Sequence, residues 1–316
     1  MIISASRRTD IPAYYAKWLY HRIREGYVLV RNPMNFHQIS KINLSPEMID
    51  GIVFWTKNPA PMMPGLEELK KYPYYFQFTL NPYGDDVEPA LPSKRNVIIP
   101  CFLELSGRIG AERVIWRYDP ILVNQKYTVE KHMLYFEMLA NILNGYTRKC
   151  IISFIDMYRN TVNNGKELKL RSVTEDDMHI LAEGFSKTAK RYGMELDTCS
   201  EQVDLSRYGI HHSHCIDQAL FERLGNCSLN VGKDPNQRKA CGCVASIDIG
   251  AYNSCKNLCK YCYANFNPKM IDRNYRLHNP VSPLLFGEVG DGDRITERKM
   301  KSFRDEQLSM KCILKD

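Results

Sequence analysis

Residues 114–121 read Val-Ile-Trp-Arg-Tyr-Asp-Pro-Ile, an apolar run that passes directly into an arginine and an aspartate. The apolar part predicts a strand over residues 114–117, since runs without polar alternation are typical of strands covered on both faces. Several other runs in the first 200 residues have the same form and are separated by helical patterns. Strands that alternate with helices in this way predict a parallel sheet, either open or closed into a barrel.

Six further short runs, rich in β-branched and aromatic residues, predict strands at residues 2–5, 28–30, 52–55, 75–79, 150–154 and 195–197. Helices are predicted from Ile11 to a stop at Gly26, from a cap at Thr128 to Gly145, and from a cap at Thr174 to Gly193. The predicted fold class is α/β, with a partial TIM-barrel-like parallel sheet over residues 1–200. Residues 266–316 are rich in Pro and Gly turns and predict an irregular tail.

Polar side chains that follow these strands should meet at one edge of the sheet, because the carboxyl ends of parallel strands form a shared rim where active sites are built. The arginines there could bind an anionic group through a bidentate guanidinium, or could close their loops in Arg–Asp pairs. A lysine could contact substrate or cofactor, and a glutamate could act as an acid or base. The candidate catalytic residues are Arg7, Arg8, Asp10, Lys57, Arg117, Asp119 and Glu201.

Composition excludes several classes of protein. The chain has 316 residues, of which 44% are hydrophobic and 25% are charged, values typical of a folded globular protein. No apolar run is long enough to cross a bilayer, and the first residues lack the pattern of a secretory signal, so we expect a cytoplasmic protein without membrane contact. The net charge of +7 permits binding of nucleic acid or of an anionic cofactor without requiring either.

Cysteine placement carries the chemical information. Eight of the 11 cysteines lie between positions 199 and 262, and three of these have the spacing C-x3-C-x2-C at Cys255, Cys259 and Cys262. A structural zinc site takes four protein ligands, and each iron of a [4Fe–4S] cluster is normally bound by a cysteine. Three thiolates therefore predict a cluster with one open iron. Another iron–sulfur role, or zinc with a fourth ligand such as Cys243 or a histidine, remains an alternative.

A second set of four cysteines predicts a second metal centre, and we expect the cysteine-rich part of the chain at residues 201–265 to be an iron–sulfur segment. Four thiols suffice for a closed [4Fe–4S] cluster, which we favour, or for structural zinc. The alternative is that some are ordinary buried thiols. The predicted ligands are Cys199, Cys215, Cys241 and Cys243. Cys227 is a spare candidate, and the remaining cysteines, Cys101, Cys150 and Cys312, are interpreted as structural or incidental.

The three-cysteine loop, with an aromatic residue at Tyr261, resembles the cluster loop of radical S-adenosylmethionine enzymes. The resemblance implies that the open iron binds the methionine moiety, that an electron from the cluster cleaves the sulfonium, and that the resulting radical abstracts a hydrogen atom. It also implies that Tyr261 packs near the adenine. Residues 263–265 continue the match to a subset that includes DNA-lesion lyases, so Asn265, together with Arg117, is a candidate cofactor-binding residue.

One feature departs from that pattern. In typical radical enzymes the cluster loop follows the first barrel strand near the N-terminus, whereas here it lies near the C-terminus, after a short possible strand at residues 246–249. We therefore expect either a permuted architecture or a loop that reaches back onto the rim.

Longer stretches resemble the bacterial family known as domain of unknown function 1848, over roughly residues 1–265. The matching strings are SASRRTDIP (4–12), VFWTKNP (53–59), FQFTLNPYG (76–84), WRYDPI (116–121), QRKACGCVASIDIGAY (237–252) and CKNLCKYCYAN (255–265). The resemblance implies a C-terminal cysteine cluster and assigns no reaction.

The leading prediction is a radical S-adenosylmethionine enzyme with one or two [4Fe–4S] clusters and an electron donor such as flavodoxin or ferredoxin. Its substrate, a small molecule or a macromolecule, is not defined by the sequence. Two alternatives are a non-catalytic iron–sulfur protein that carries electrons or senses redox state, and a zinc-stabilised nucleic-acid-binding module. The absence of a concentrated basic stripe weakens the last of these.

Overall fold

The computed structural model of the protein describes residues 1–305, so Cys312 and the end of the predicted tail lie outside the described residues. The strands in this part of the chain are β1 (Ile2–Ala5), β2 (Tyr27–Arg31), β3 (Gln38–Asn43), β4 (Gly51–Thr56), β5 (Tyr74–Thr79), β6 (Val114–Ile121), β7 (Lys149–Phe154), β8 (Glu195–Thr198), β9 (His211–His212), β10 (Ile247–Asp248) and β11 (Arg294–Glu297). The α-helices are α1 (Ile11–Tyr14), α2 (Ala16–Glu25), α3 (Ile99–Ile109), α4 (Val129–Ile142), α5 (Arg159–Asn164), α6 (Glu175–Arg191), α7 (Gln218–Gly225) and α8 (Pro268–Arg276).

Eight strands form one parallel sheet in the order β10-β1-β4-β5-β6-β7-β8-β9. Every neighbouring pair in this sheet runs parallel. The predicted α/β class is therefore confirmed, and six of the seven predicted strands belong to this sheet. The seventh, at residues 28–30, is β2 and lies in a separate three-stranded sheet with β3 and β11. The short strand expected at residues 246–249 is β10, which pairs with β1.

The two faces of the parallel sheet are covered differently. Alternate residues such as Ile3, Phe54 and Trp116 pack against the helices in the largest core of the protein. Their neighbours face the other side, where residues of the cysteine-rich segment cover them. Phe221 of α7 lies so close to this face that a Cβ on Gly51 would come within 2.1 Å of its ring. The cysteine-rich segment thus fills the concave face of the sheet and contributes both edge strands, β9 and β10.

Helix ends follow the local signals. The Thr128 side chain accepts a hydrogen bond from Lys131 N at the start of α4, and Thr174 forms a capping box at the start of α6. The helix predicted from Ile11 is interrupted at Tyr15, whose φ of −131° and ψ of 20° separate α1 from α2. Gly26 ends α2 with a positive φ of 75°, a conformation that favours glycine.

The segment after α8 runs back along the body of the protein. The Trp18 indole nitrogen donates to Ser282 O at 2.9 Å, and Leu29 N donates to Pro283 O at 3.0 Å. Further on, β11 pairs in parallel with β3. No helix within residues 1–305 has the length and apolar character required to cross a membrane.

Candidate metal centres

The loop that carries Cys255, Cys259 and Cys262 follows β10 at the carboxyl end of the sheet. Two hydrogen bonds hold it against the start of α1: Tyr14 OH donates to Asn257 Oδ1 at 2.7 Å, and Asn257 Nδ2 donates to Asp10 Oδ2 at 3.1 Å. The three cysteines are therefore fixed directly beside the loop that follows β1.

The three thiols of this loop lie in a shared, water-poor environment. Burial raises the pKa of Cys255, and the neighbouring Cys262 and Cys259 raise it further. Burial also raises the pKa of Cys259 to about 12, against the opposing effect of the Lys57 ammonium. Burial likewise raises the pKa of Cys262. Such thiols ionise readily only when a positive charge, such as a metal ion, enters the space between them.

A buried carboxylate organises the side chains next to this loop. Glu88, only 2% exposed, accepts a hydrogen bond from Lys57 Nζ at 2.8 Å and further hydrogen bonds from Lys94 Nζ and Tyr261 OH. Burial alone would raise the pKa of Glu88, but the two lysines lower it. Asn81 Nδ2 also donates to Tyr261 OH, at 3.3 Å. The Tyr261 ring, with the Lys57 ammonium 5.3 Å from its centre, is thereby fixed in position.

Asn265 lies against the same loop and keeps one polar atom free. Its Nδ2 donates to Cys255 O at 2.8 Å, and its backbone oxygen accepts from Asn164 Nδ2 at 2.9 Å. Its Oδ1 is buried and has no hydrogen-bond partner in the described part of the chain. A buried acceptor without a partner is costly, and a ligand N–H would satisfy it.

The four cysteines of the second set meet on the concave face of the sheet. Cys215 Sγ donates to Cys199 Sγ at 3.2 Å, and Cys243 contacts Cys215 on one side and Cys241 on the other. Ile216 N donates to Cys243 Sγ at 3.3 Å. The ten cysteines within residues 1–305 are all free thiols. Residues far apart in the chain thus bring four sulfur atoms into one chain of contacts.

Polar groups surround this second set. Arg117 Nη1 donates to Cys215 Sγ at 3.0 Å, while its Nε donates to Asp119 Oδ2 at 3.0 Å. Burial alone would lower the pKa of Arg117, but Asp119 and Cys215 raise it. Two buried hydroxyls one and two positions from these cysteines in the chain, Ser200 Oγ and Ser213 Oγ, have no partner within residues 1–305. The set therefore has a cation at hydrogen-bond distance.

Some of the other candidate residues lie near the cysteines, and others have structural roles. Arg7 lies with its guanidinium 5.6 Å from the Trp55 ring centre, near Cys243 and Cys215. Asp10 is occupied, because Thr56 Oγ1 donates to it at 2.7 Å and three further groups also donate to it. It therefore closes its loop through hydrogen bonds rather than through an arginine.

Arg8 and Glu201 lie at the margins of these sites. The Arg8 guanidinium lies 5.2 Å from the centre of the Tyr252 ring. Glu201 Oε1 accepts from Phe154 N at 2.9 Å, and burial raises its pKa to about 7.

Among residues 1–305, no group of three or more His, Cys, Asp or Glu side chains is arranged to hold a metal ion as the side chains stand. Sequence reasoning also missed Glu88, Lys94 and Ser153. Glu88 lies 31 positions from Lys57, and nothing in their spacing points to a pair.

The sequence profile of the family described as Domain of unknown function (DUF1848) matches residues 2–264. The chain belongs to this family. The resemblance to DUF1848 noted from the sequence is thereby confirmed, and every cysteine of both sets lies inside the matched region. No curated protein and no solved structure matches the chain.

Proposed function

We propose that this protein is a radical S-adenosylmethionine-type enzyme that binds a [4Fe–4S] cluster through Cys255, Cys259 and Cys262 and a second metal centre through the other four cysteines. When bound, such a cluster supplies one electron for reductive cleavage of S-adenosylmethionine. The observation that carries the proposal is the three-cysteine loop itself, in which buried Cys259 and the partly exposed Cys255 and Cys262 interact with one another. Asn265 contacts this loop and has a buried amide oxygen without a partner within residues 1–305.

The donor set fits a cluster with one open iron. Three carboxylates contact residues of the loop. Glu167 is on the exposed side and pairs with Lys260 at 2.8 Å, and the other two are already occupied. Asp10 already accepts four hydrogen bonds. Glu88 is held by two lysines and by Tyr261. One iron would therefore keep an open position for an outside ligand.

The strand order supports a partial barrel with the cluster loop in the expected place. The eight strands follow one another through the sheet in chain order, apart from β10, which precedes β1. Counted through space, β10 is the first strand, and in this proposal the loop that follows it would take the place of a cluster loop. Its late position in the chain would then be a permutation of the barrel order.

The residues around the loop have defined tasks in this proposal. Tyr261 presents an aromatic ring held by Glu88, suited to pack against a purine. Asn265 Oδ1 would accept a hydrogen bond from the amino group or the adenine of the bound molecule. Lys57 stays protonated, because Glu88 and Cys259 raise its pKa against the effect of burial, and it would balance the negative charge of the cluster.

The second set supports a closed centre. Four thiols supply the full number of ligands, and Arg117 donates to one of the sulfur atoms. Hydrogen bonds and burial of this kind set the potential of iron–sulfur clusters. Zinc in the same four thiols is the alternative, and metal analysis distinguishes the two.

The test begins with anaerobic purification, iron and zinc counts, and the reduced electron-paramagnetic-resonance spectrum with and without S-adenosylmethionine. We expect about eight irons per chain, corresponding to two cubane clusters, a spectrum that shifts on addition of S-adenosylmethionine, and formation of 5′-deoxyadenosine. Replacing Cys255, Cys259 and Cys262 together by alanine should remove about half of the iron and all of the cleavage.

Two control variants sharpen this test. Cys101→Ala, at a buried cysteine of α3 outside both sets, should keep the full iron content and cleavage. Cys199→Ala with Cys215→Ala should lose the other half of the iron. Zinc alone after strictly anaerobic handling would overturn the proposal. Iron without any response to S-adenosylmethionine would instead favour an electron carrier.

A further inference from the structure

The surface over the cluster loop is strongly basic. Residues 250–287 contain five Lys and Arg residues and a single acidic residue, Asp272. Lys260 pairs with Glu167 at 2.8 Å. The other four cations form no ion pair with a carboxylate of the described chain: Lys256, Lys269, Arg273 and Arg276.

Contrary to the expectation that the chain lacks a basic stripe, three of these cations form one on α8. Lys269, Arg273 and Arg276 are four and three positions apart and therefore lie on one face of the helix. Ile271, the buried residue of α8, lies on the opposite face. The stripe consequently points away from the body of the protein. Lys269 lies in the first turn, where the helix dipole disfavours a cation, so helix stability does not explain its charge.

Apolar side chains are exposed within this basic surface. Leu258 is 38% exposed, and Met270, Tyr275 and Leu277 are also exposed. Exposed apolar side chains that flank a charged stripe favour a protein–protein interface over an ordinary solvated surface. The positive sign of the stripe selects an acidic partner.

This surface lies directly over the three cysteines. Asn274 Nδ2 of α8 donates to Asn253 O at 3.0 Å, and the Lys256 ammonium lies 4.1 Å from the centre of the Tyr275 ring. Leu258 immediately precedes Cys259 in the chain. A partner seated on α8 and Leu258 would therefore contact the cluster loop itself.

We propose that α8 and the exposed side of the cluster loop form the docking face for a small acidic redox protein that delivers the electron this enzyme needs. This inference rests on the proposed function. The partner, a reduced iron–sulfur or flavin protein, is oxidised by one electron, and the centre held by the three cysteines is reduced by one electron. No covalent bond forms or breaks at this step. The rate of electron transfer falls steeply with distance, which is why the partner docks over the cysteines.

The test reverses the stripe in the anaerobically purified protein and uses a small acidic [2Fe–2S] ferredoxin as the probe. The variant is Lys269→Glu/Arg273→Glu/Arg276→Glu, and the matched control is Lys187→Glu/Lys190→Glu/Arg191→Glu on the exposed side of α6. We measure the Kd for oxidised ferredoxin by titration, and 5′-deoxyadenosine formation with reduced ferredoxin or with dithionite. The α8 variant should bind ferredoxin about tenfold or more weakly at low salt and lose ferredoxin-driven cleavage in proportion.

Dithionite-driven cleavage should be unchanged in both variants, which separates docking from folding and from chemistry. Equal ferredoxin Kd values for the α8 variant and the α6 control would overturn the docking face and leave the proposed function intact. Absence of dithionite-driven cleavage in the unaltered protein would instead overturn the proposed function. Binding of a short DNA duplex that depends on the stripe, without ferredoxin binding, would assign the surface to nucleic acid and refute the inference.

Discussion

Protonation of His132 should destabilise the fold as pH falls. This histidine of α4 is fully buried, its Nε2 donates to Leu122 O at 2.8 Å, and its Nδ1 accepts from Tyr118 OH at 2.7 Å. Both ring nitrogens are thus satisfied in the neutral form. A proton added to His132 Nδ1 would face the Tyr118 hydroxyl, which already donates to that nitrogen. The resulting positive charge would be out of contact with solvent. Burial accordingly lowers the pKa of His132 to about 4.

The sign and size of the effect follow from linkage. The unfolded chain protonates this histidine below its ordinary pKa of 6.5, whereas the folded chain does so only below about 4. Between these values the unfolded state binds one proton more, so the free energy of unfolding falls as pH falls. The full loss amounts to about 3 kcal/mol at 1.36 kcal/mol per pKa unit, and about 2 kcal/mol of it is reached at pH 5.

Urea denaturation at pH 7.5 and pH 5.0 measures this contribution when the protein is compared with His132→Gln. Glutamine keeps an N–H for Leu122 O but does not titrate. At pH 7.5 the variant should have a lower free energy of unfolding than the unaltered protein. Between pH 7.5 and pH 5.0, the free energy of unfolding should fall by about 2 kcal/mol less in the variant than in the unaltered protein. Other titrating groups, such as Glu201, are present in both proteins and cancel. An identical pH dependence in the two proteins would refute this account of His132.

Three further substitutions test the packing around the candidate centres. Gly242→Ala should cost less than about 1 kcal/mol, because the His214 ring that a Cβ would approach to 2.2 Å belongs to an exposed side chain that can turn away; Gly290→Ala, which meets nothing within 4 Å, is the control, and a loss above that of the control by more than about 1 kcal/mol would show that His214 is held in place. Glu88→Gln should cost about 3 kcal/mol in urea denaturation, since it leaves two partly buried ammonium groups without a carboxylate; an unchanged unfolding midpoint would contradict the ion-pair network. Phe221→Ala should cost about 3–5 kcal/mol by removing the ring that covers the concave face, and a loss below 1 kcal/mol would show that the segment over that face is loosely packed.

The strands of the main sheet were predictable because parallel strands covered on both faces are continuous apolar runs. The strands that sequence reasoning missed have no such signal. In β3, the buried residues Ile39 and Ile42 are three positions apart, a spacing that favours a helix. All four residues of β11 are exposed, and β9 consists of two exposed histidines. Each of these strands forms because a neighbouring strand supplies hydrogen-bond partners. The residue pattern within a short segment does not show whether such a neighbour is present.

The candidate sites were predictable to the extent that a residue type alone reveals chemistry. Cysteine is rare enough that spacing and number separated the two sets, and the structure brings the members of each together. The partners of the charged residues were not predictable in the same way. Lys57 pairs with Glu88, and Asp119 accepts a hydrogen bond from Ser153, a residue 34 positions away. Such pairs depend on which strands are neighbours, and strand order is a property of the fold.

The position of the cluster loop in space depends on the strand that precedes it rather than on its place in the chain. That strand, β10, has only two residues, and its ladder with β1 is too short to fix a loop by itself. Asp248 supplies the missing restraint, because it accepts hydrogen bonds from Ser4 Oγ at 3.1 Å, Ser6 Oγ at 2.5 Å and Arg7 N at 2.8 Å. The Asp248 carboxylate therefore connects β10 to β1 and to the loop that follows β1. The loop that carries the three cysteines is thereby held at the carboxyl end of the sheet, beside the loop that follows β1.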